Sequence, residues 1–444
     1  MSLSEQITAD IMAGIAGEVK EFFIKASGKG GKFDELEGKA RELALEFGGK
    51  LIEGIGRLLH GGYEGAHMPC SCGGQLNARD YREAWAITTC GKARMRRAYY
   101  QCDRCSNGLV PLDRYMGLGK GRMTEATQRI VGRVTAEMSF ENARELIGQL
   151  IDIWVSTELL EDVSAELGQD MEELRQAEIK EIWDGPEWPE GVPQREVVQV
   201  SIDGTTAPTE EGFKEVKTAV LYEPKKEKGL DGKETVRASG QRYVSSFEVV
   251  GEFGKGVWND AARYGAVEAK QVVVVSDAAE WINSLTQEHF PWAVQILDFW
   301  HATERLAGLA RAHYGEGSDV GQRWLEEKKE RLKLDGGCQA VCNAAKRLKV
   351  RGKEAKEAQA NVLQYFEKNR ERMRYSEYLA RGYHIGSGLA EGACKHVVKK
   401  RLRMPGWKWK KKNAQAILQL RVAIINGEYD QRCRKLFQRR RLCA

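Results

Sequence analysis

Four valines in a row, Val272–Val275 in "QVVVVSDAAEW", restrict this chain more than any other stretch. A short β-branched run, apolar on both faces of the pleat, reads as a strand covered from two sides. That is the habit of parallel sheets with helices on either face. The run stops at an aspartate, Asp277, and a second run, "VVQVSIDGTTAP", stops the same way at Asp203. A lone strand-end aspartate is often a turn former or a helix N-cap. Two of them, each closing an apolar strand, put a pair of carboxylates where sheets collect ligands, at the carboxyl ends of strands.

The surrounding pattern gives the order of elements. Strands are expected at 197–203, 215–223 and 241–251, with the charged "PKKEKGLDGKETVRASG" as a hairpin loop between the latter two. A helix follows at about 254–268, then the strand 271–277, a helix at 278–287 and a strand at 293–299. The order β-β-β-α-β-α-β is a meander followed by crossovers, an α/β class of fold. Residues 300–383 carry Glu, Lys, Arg, Ala and Leu at helical spacing and no strand candidate. Beyond them Gly386 and Gly388 flank Ser387, and a helix begins there with Glu391 in its first turns.

Upstream, residues 1–65 read as helical. Leu36, Ala40, Leu43, Phe47, Leu51, Ile55 and Leu58 recur every three or four positions and form one apolar face, read first as packed in the core and second as a helical dimer contact. Between 66 and 115 lie Cys70 and Cys72, then Cys102 and Cys105, joined by a segment that alternates like a hairpin. Two thiol pairs on tight turns suit one structural Zn²⁺ held by four thiolates, a zinc ribbon. Cys90, His67 or His60 is an alternative for one ligand, and Arg94, Arg96 and Arg97 on the hairpin are phosphate-contact candidates. Residues 116–183 read as three helices with Ser139 and Ser156 as N-caps, a helix-turn-helix-like arrangement. Its last helix carries Glu158, Glu161, Asp162 and Glu166, which repel a phosphate backbone. A proline-rich linker, 184–196, separates this region from the strands.

The net charge of +5 hides an asymmetry. Between Lys395 and Arg441 stand 16 basic residues against two acidic ones, so this segment is +14 and the remainder −9. A block this dense suits a polyanion. Lys395, Lys399, Lys400, Arg401, Arg403 and Lys408 are the candidate DNA contacts, with Trp407 and Trp409 as stacking surfaces; a solvated helix face is the plainer alternative. No apolar run reaches the length of a membrane span, and the first twenty residues do not resemble a signal peptide. A cytoplasmic, nucleoid-associated protein is expected.

Asp203, Asp277 and Glu391, with no base beside them in the sequence, would repel one another unless divalent cations sit between them. At this point "VSIDGT", "VVVVSDAAEWI", "ILDFWHATERL" and "GYHIGSGLAEGACKHVVKKRL" together resemble a known family. They are similar to the DDE transposases of bacterial insertion sequences, in the Mutator-related branch and nearest the Kra group. The resemblance implies an RNase H-like core, 197–300 and 384–444, interrupted by a helical insertion, 301–383. It implies Asp203, Asp277 and Glu391 as ligands of two Mg²⁺ or Mn²⁺ ions. "DFWH" matches the family's Asp-x-x-His signature and brings Asp298 and His301 into the catalytic neighbourhood. Expected partners are double-stranded DNA, as element ends and target, and a second copy of the chain or more in the synaptic complex. Two other functions stay open: a catalytically silent DNA-binding regulator of transposase descent, and a metal-dependent nuclease without strand transfer.

Overall fold

The computed structural model describes residues 1–27, 32–185, 189, 191–228 and 234–443. They form two compact units, Met1–Met171 with Gly427–Ala444, and Glu172–Asn426. Part of the expected linker, 186–188 and 190, and the tip of the expected hairpin loop, 229–233, lie outside the described residues.

The first unit opens with α1 (Leu3–Ser27) and α2 (Phe33–Leu58). The helix over the apolar repeat is as expected, but its packing face is not. Leu51, Ile55 and Leu58 are exposed, and the buried positions of α2 are Leu43, Gly49, Gly54 and Gly56. Glycine wins because backbone must approach backbone here. A methyl group on Gly49 would sit 2.5 Å from the Lys92 carbonyl oxygen, and one on Gly48 the same distance from that of Cys90.

A four-stranded antiparallel sheet follows in the order β1 (His67–Pro69), β2 (Gln75–Thr88), β3 (Gly91–Cys102), β4 (Gly108–Leu109). The short α3 (Pro111–Tyr115) leads to α4 (Glu125–Glu137), α5 (Phe140–Ile151) and α6 (Thr157–Asp184). Ser139 caps α5 by accepting from the Asn142 amide, and the Ser156 hydroxyl accepts from Leu159 at the start of α6.

The second unit is built on a five-stranded sheet: β5 (Val197–Thr209), β6 (Gly212–Lys228), β7 (Glu234–Ser246), β8 (Gln271–Ser276) and β9 (Val294–Leu297), in the spatial order β7-β6-β5-β8-β9. β5, β6 and β7 pair antiparallel, whereas β8 joins β5 and β9 in parallel. Between them run α7 (Val250–Tyr264) and α8 (Glu280–His289). Much of the expected loop between β6 and β7 is strand, paired as far as Lys228 and Glu234. The third strand also ends at Ser246, before the expected 251, because α7 starts at Val250.

The valine run behaves as its composition requires. Val272 and Val274 pack with Phe253 and Val257 of α7 and with Ile282 and Leu285 of α8. Val273 and Val275 pack on the other face with Leu306, Val341, Val362 and Phe366. These come from the helical stretch α9 (Phe299–Tyr314), α10 (Asp319–Leu332), α11 (Gly337–Arg347), α12 (Lys353–Asn369) and α13 (Tyr375–Ala380). The chain then passes through α14 (Gly388–Ala393), a widened π-helical turn at Cys394–Lys399, α15 (Lys400–Leu402) and α16 (Lys411–Ile425).

The last helix, α17 (Tyr429–Cys443), returns to the first unit. The Tyr429 hydroxyl donates to the Arg129 carbonyl, and Arg440 pairs with Glu166 and Asp170 of α6. The acidic surface of α6 thus has a structural counterpart: it receives arginine from α17, and Asp162 receives Lys120.

Candidate functional site

Parallel register builds the site. Ser201 lies opposite Val275 and Ile202 opposite Ser276, so the next pair across the strands is Asp203 and Asp277. Both have the parity of Ser201 and Val275 and so belong to the same face. On the other side of β8, Ser276 lies opposite Leu297, which sets Asp298 level with Asp277. Three aspartates therefore stand in one row across β5, β8 and the end of β9. One expectation needs correction: β5 does not stop at Asp203 but runs on to Thr209, with Asp203 opposite Thr218 of β6. It is β8 that ends, and the longer β5 continues past it.

The three carboxylates differ in their surroundings. Asp203 is half-buried; its Oδ1 accepts from the Gly204 amide at 2.7 Å and its carboxylate from the Cys394 thiol. Burial, with the charge of Asp277 adding to it, raises its pKa above the ordinary aspartate value despite these bonds. The same burial pushes the Cys394 thiol up to about 12, so it stays a donor. Asp277 uses one oxygen to accept from the Ala279 amide at 2.9 Å, a turn bond. Asp298 is different again. Burial opposes its charge, but it accepts from the Trp300 amide at 2.6 Å, His301 Nδ1 at 3.1 Å, and the Ser387 amide at 3.0 Å and hydroxyl, which together hold its pKa below the ordinary value. Those donors occupy the capacity of a carboxylate, so Asp298 positions His301 and the Gly386–Gly388 turn rather than a cation.

The bond to Asp298, against some burial, raises the pKa of His301 to about 9. A folded-state pKa above the unfolded one means that the stabilisation is complete below about pH 6.5 and fades as pH passes 9. In metal-free protein, Asp298→Asn is expected to bring the His301 titration, followed by NMR of the imidazole, down by at least about one pH unit. An unmoved titration would show that the bond does not govern it.

The structure corrects the expectation that no base lies beside the carboxylates. Besides His301, Arg372 reaches back from the end of the helical stretch. It donates to the Ser276 hydroxyl at 3.0 Å, the Asp277 carbonyl at 3.2 Å and Asn283 Oδ1 at 2.8 Å. It fixes the end of β8, and nothing near position 277 in the sequence announces it. A cavity of about 1310 Å³ opens from Asp277 and His301 among the helices, lined also by Glu304, Arg305, Asn361 and Tyr365.

Glu391 is not gathered with the aspartates. It is exposed and pairs with Lys395 at 2.7 Å, one turn along. Among the described residues, the three acids do not form a group with ligand atoms mutually within 4.8 Å. Glu391 nevertheless lies three residues before Cys394, whose thiol touches Asp203. Residues three apart share a helix face, so the glutamate is one helical turn from the pair. Two adjacent carboxylates, one disfavoured as a bare charge, are hard oxygen donors suited to a divalent cation such as Mg²⁺.

The basic block divides. Trp409 is buried: its ring nitrogen donates to Leu402, its amide to Pro208, and its carbonyl accepts from Glu210. Arg401 is also fully buried, with its guanidinium 4.8 Å from the Trp409 ring centre and 5.9 Å from that of Trp407. Neither Trp409 nor Arg401 is a surface for DNA, because together they form the joint that docks this segment on the end of β5. Arg403 is exposed and bonds the Thr206 carbonyl at 2.8 Å; Lys400 and Lys408 are exposed, Lys399 half-buried, and Lys395 pairs with Glu391.

In the first unit, the sulfurs of Cys70, Cys72, Cys102 and Cys105 all lie within 4.8 Å of one another. The Cys70–Cys105 and Cys72–Cys102 distances are 3.6 and 3.7 Å. Zn–S bonds of about 2.3 Å in a tetrahedron place sulfurs roughly 3.8 Å apart. The Cys105 and Arg104 amides lower the Cys102 thiol to about 6. His67 bonds Asn77 instead, while Cys90 sits in the β2–β3 turn and His60 ahead of β1, all outside the cluster.

The fold and these groups define a mixed α/β protein with two sheets and a cysteine quartet that could hold a metal ion, compatible with structural zinc. Residues 75–439 match the uncharacterised protein family UPF0236, and the chain belongs to that family. No curated protein matches it. Among the described residues, no helix is long and apolar enough to cross a membrane.

Proposed function

We propose that this chain is a DNA transposase of the DDE type, resembling the Kra group of insertion-sequence enzymes. The observation that carries the reading is the register that sets Asp203 beside Asp277 on one sheet face, with Asp298–His301 level on the next strand. The strand order β7-β6-β5-β8-β9, three antiparallel and then two parallel, supports an RNase H-like core, and α9 to α13 answer to a helical insertion. Asp203 and Asp277 would hold Mg²⁺ or Mn²⁺, with Glu391 joining after releasing Lys395. Two such ions supply activation of the attacking oxygen and stabilisation of the leaving one at a phosphodiester.

The chain's own residues supply the rest. Arg372 fixes the end of β8, Asp298 aims His301, and the imidazolium adds positive charge beside the row of acids, where a phosphate would lie. The products would be a 3′-OH at the element end and its joining to target DNA, with zinc in the cysteine quartet serving structure alone. The test is incubation of full-length protein with duplexes bearing the element ends and Mg²⁺ or Mn²⁺. Nicks at the ends, followed by joined products, are expected. Nicks without joining favour a nuclease, and binding without nicks a silent regulator.

A further inference from the structure

The β2–β3 hairpin has two dissimilar faces. Ala86, Ala93 and Met95 turn inward and pack with Leu112. The opposite face presents Trp85 across from Arg94, Glu83 across from Arg96, and Tyr81 across from Ala98. Trp85 is 52% exposed and Tyr81 42%, large values for aromatic residues on a rigid sheet. Arginine is interleaved with them. The Arg96 guanidinium lies 4.4 Å from the Tyr81 ring centre, and Arg94 pairs with Glu83. Lys92 extends the row on β3, and Arg122, also exposed, donates to the Trp85 carbonyl at 3.0 Å. Four cations, Lys92, Arg94, Arg96 and Arg122, thus stand around two exposed aromatic rings, with Glu83 paired to Arg94 and Glu53 at the Arg94 amide. The ribbon is held at both ends: the cysteine quartet closes one, and α2 covers the outer edge of β3, where Glu53 accepts from the Arg94 amide.

From this geometry we infer that the Trp85–Arg94 face of the β2–β3 ribbon is a duplex-DNA-reading surface, entering the major groove. A two-stranded antiparallel ribbon has the width for that groove. Lys92, Arg94 and Arg96 alternate along one strand, and a two-residue step of about 6.8 Å spans two base-pair rises of about 3.4 Å. Successive cations therefore meet every second base pair, and arginine is the side chain that reads guanine bidentately. The helix α6, with Glu166 and Asp170 paired to Arg440 of α17, is a poorer candidate for the same task.

This inference rests on DNA as the substrate, but its failure is separable from that of the catalytic reading. Asp203→Asn stops nicking and spares binding, whereas ribbon variants lose binding. The experiment measures fluorescence anisotropy of full-length protein on labelled element-end duplexes over a range of salt. Arg94→Ala/Arg96→Ala is expected to weaken binding by about 30-fold or more and to flatten the salt dependence by about two ions. Trp85→Ala, by removing apolar contact with thymine methyl groups in the groove, should cost about tenfold. Arg94→Lys/Arg96→Lys keeps the charge, so it should retain affinity for unrelated DNA while losing preference for the ends. Zinc content and melting temperature, unchanged in each variant, separate lost contact from lost folding. As a second probe that keeps both arginines, a photoreactive benzoylphenylalanine at position 85 should crosslink to the duplex. Unchanged affinity with no adduct overturns the inference. So does a loss confined to RNA hairpins or to self-association, which would assign the face to another partner.

Discussion

Asp203→Asn is expected to lower metal-dependent DNA cleavage at least about a thousandfold, roughly 4 kcal/mol of lost transition-state stabilisation, while raising the melting temperature of the metal-free protein. The two effects have one cause. Asp203 has a folded-state pKa above its unfolded value because it is half-buried beside Asp277. A raised carboxylate gives its full stabilisation only below the unfolded value, near pH 4, and loses it as pH rises through the folded one. At neutral pH the charge is therefore a net cost to the fold, and asparagine removes it. On the proposed reading, a divalent cation should reverse the balance for the natural residue alone. Mg²⁺ at a hundred times its dissociation constant adds about 2.7 kcal/mol, which should appear as a melting shift in the parent protein and be absent from Asp203→Asn. Asp277→Asn should abolish cleavage equally. If Asp203 served only the turn at Gly204, the asparagine variant would cleave DNA and respond to Mg²⁺ as the parent does; that pair of results sinks the assignment.

What made this pair readable is that periodicity is local. A β-branched run followed by aspartate marks a strand that carries a carboxylate, although only β8 ends there and β5 runs on to Thr209; that the two aspartates stand level comes from the parallel register of β5 and β8, which no local pattern dictates. The Asp298–His301 step is local too, because a residue closing a strand and one a turn into the following helix are fixed by three intervening bonds. Arg372 and Cys394 were not readable. Each reaches the aspartates across roughly a hundred residues or more of chain, and no pattern beside Asp203 or Asp277 announces either one. The basic block misled for a related reason. Composition cannot tell a solvated arginine from one buried against an indole ring, and Arg401 with Trp409 is the second kind. The apolar repeat of α2 pointed to a buried stripe, yet three of its leucine and isoleucine side chains are exposed. Close approach to β3 selected glycine for the packed face.

Cys102→Ser is the second change with a large expected effect, this time on folding. The quartet stands where β1 and β2, and β3 and β4, turn back on themselves, and each turn is closed by backbone bonds. Gly73 donates to the Cys70 carbonyl at 2.9 Å and Ser106 to the Cys102 carbonyl at 2.9 Å. Among the described residues, the apolar cluster around the sulfurs is small: its other buried members are Leu76, Ala98 and Tyr100, with Met68, Ala78 and Leu109 partly buried against it and Asp103 bonded to Asn77 and Arg79. A cluster so small does not order two turns unaided, whereas zinc held by thiolates contributes on the order of 10 kcal/mol in small zinc-dependent folds. The Cys105 and Arg104 amides lower the Cys102 thiol to about 6, which favours the thiolate that zinc binds, so serine there removes a ligand suited to the metal. Elemental analysis of the parent protein should give about one zinc per chain, falling to near zero in Cys102→Ser. Hydrogen exchange should show amide protection lost across 67–109 and preserved in β5 and β8, which lie in the other unit. A chelator should reproduce that pattern in the parent protein. A zinc-free parent that keeps its protection at 67–109 would show that hydrogen bonds and the small cluster suffice, and the quartet would then be four reduced thiols without a metal.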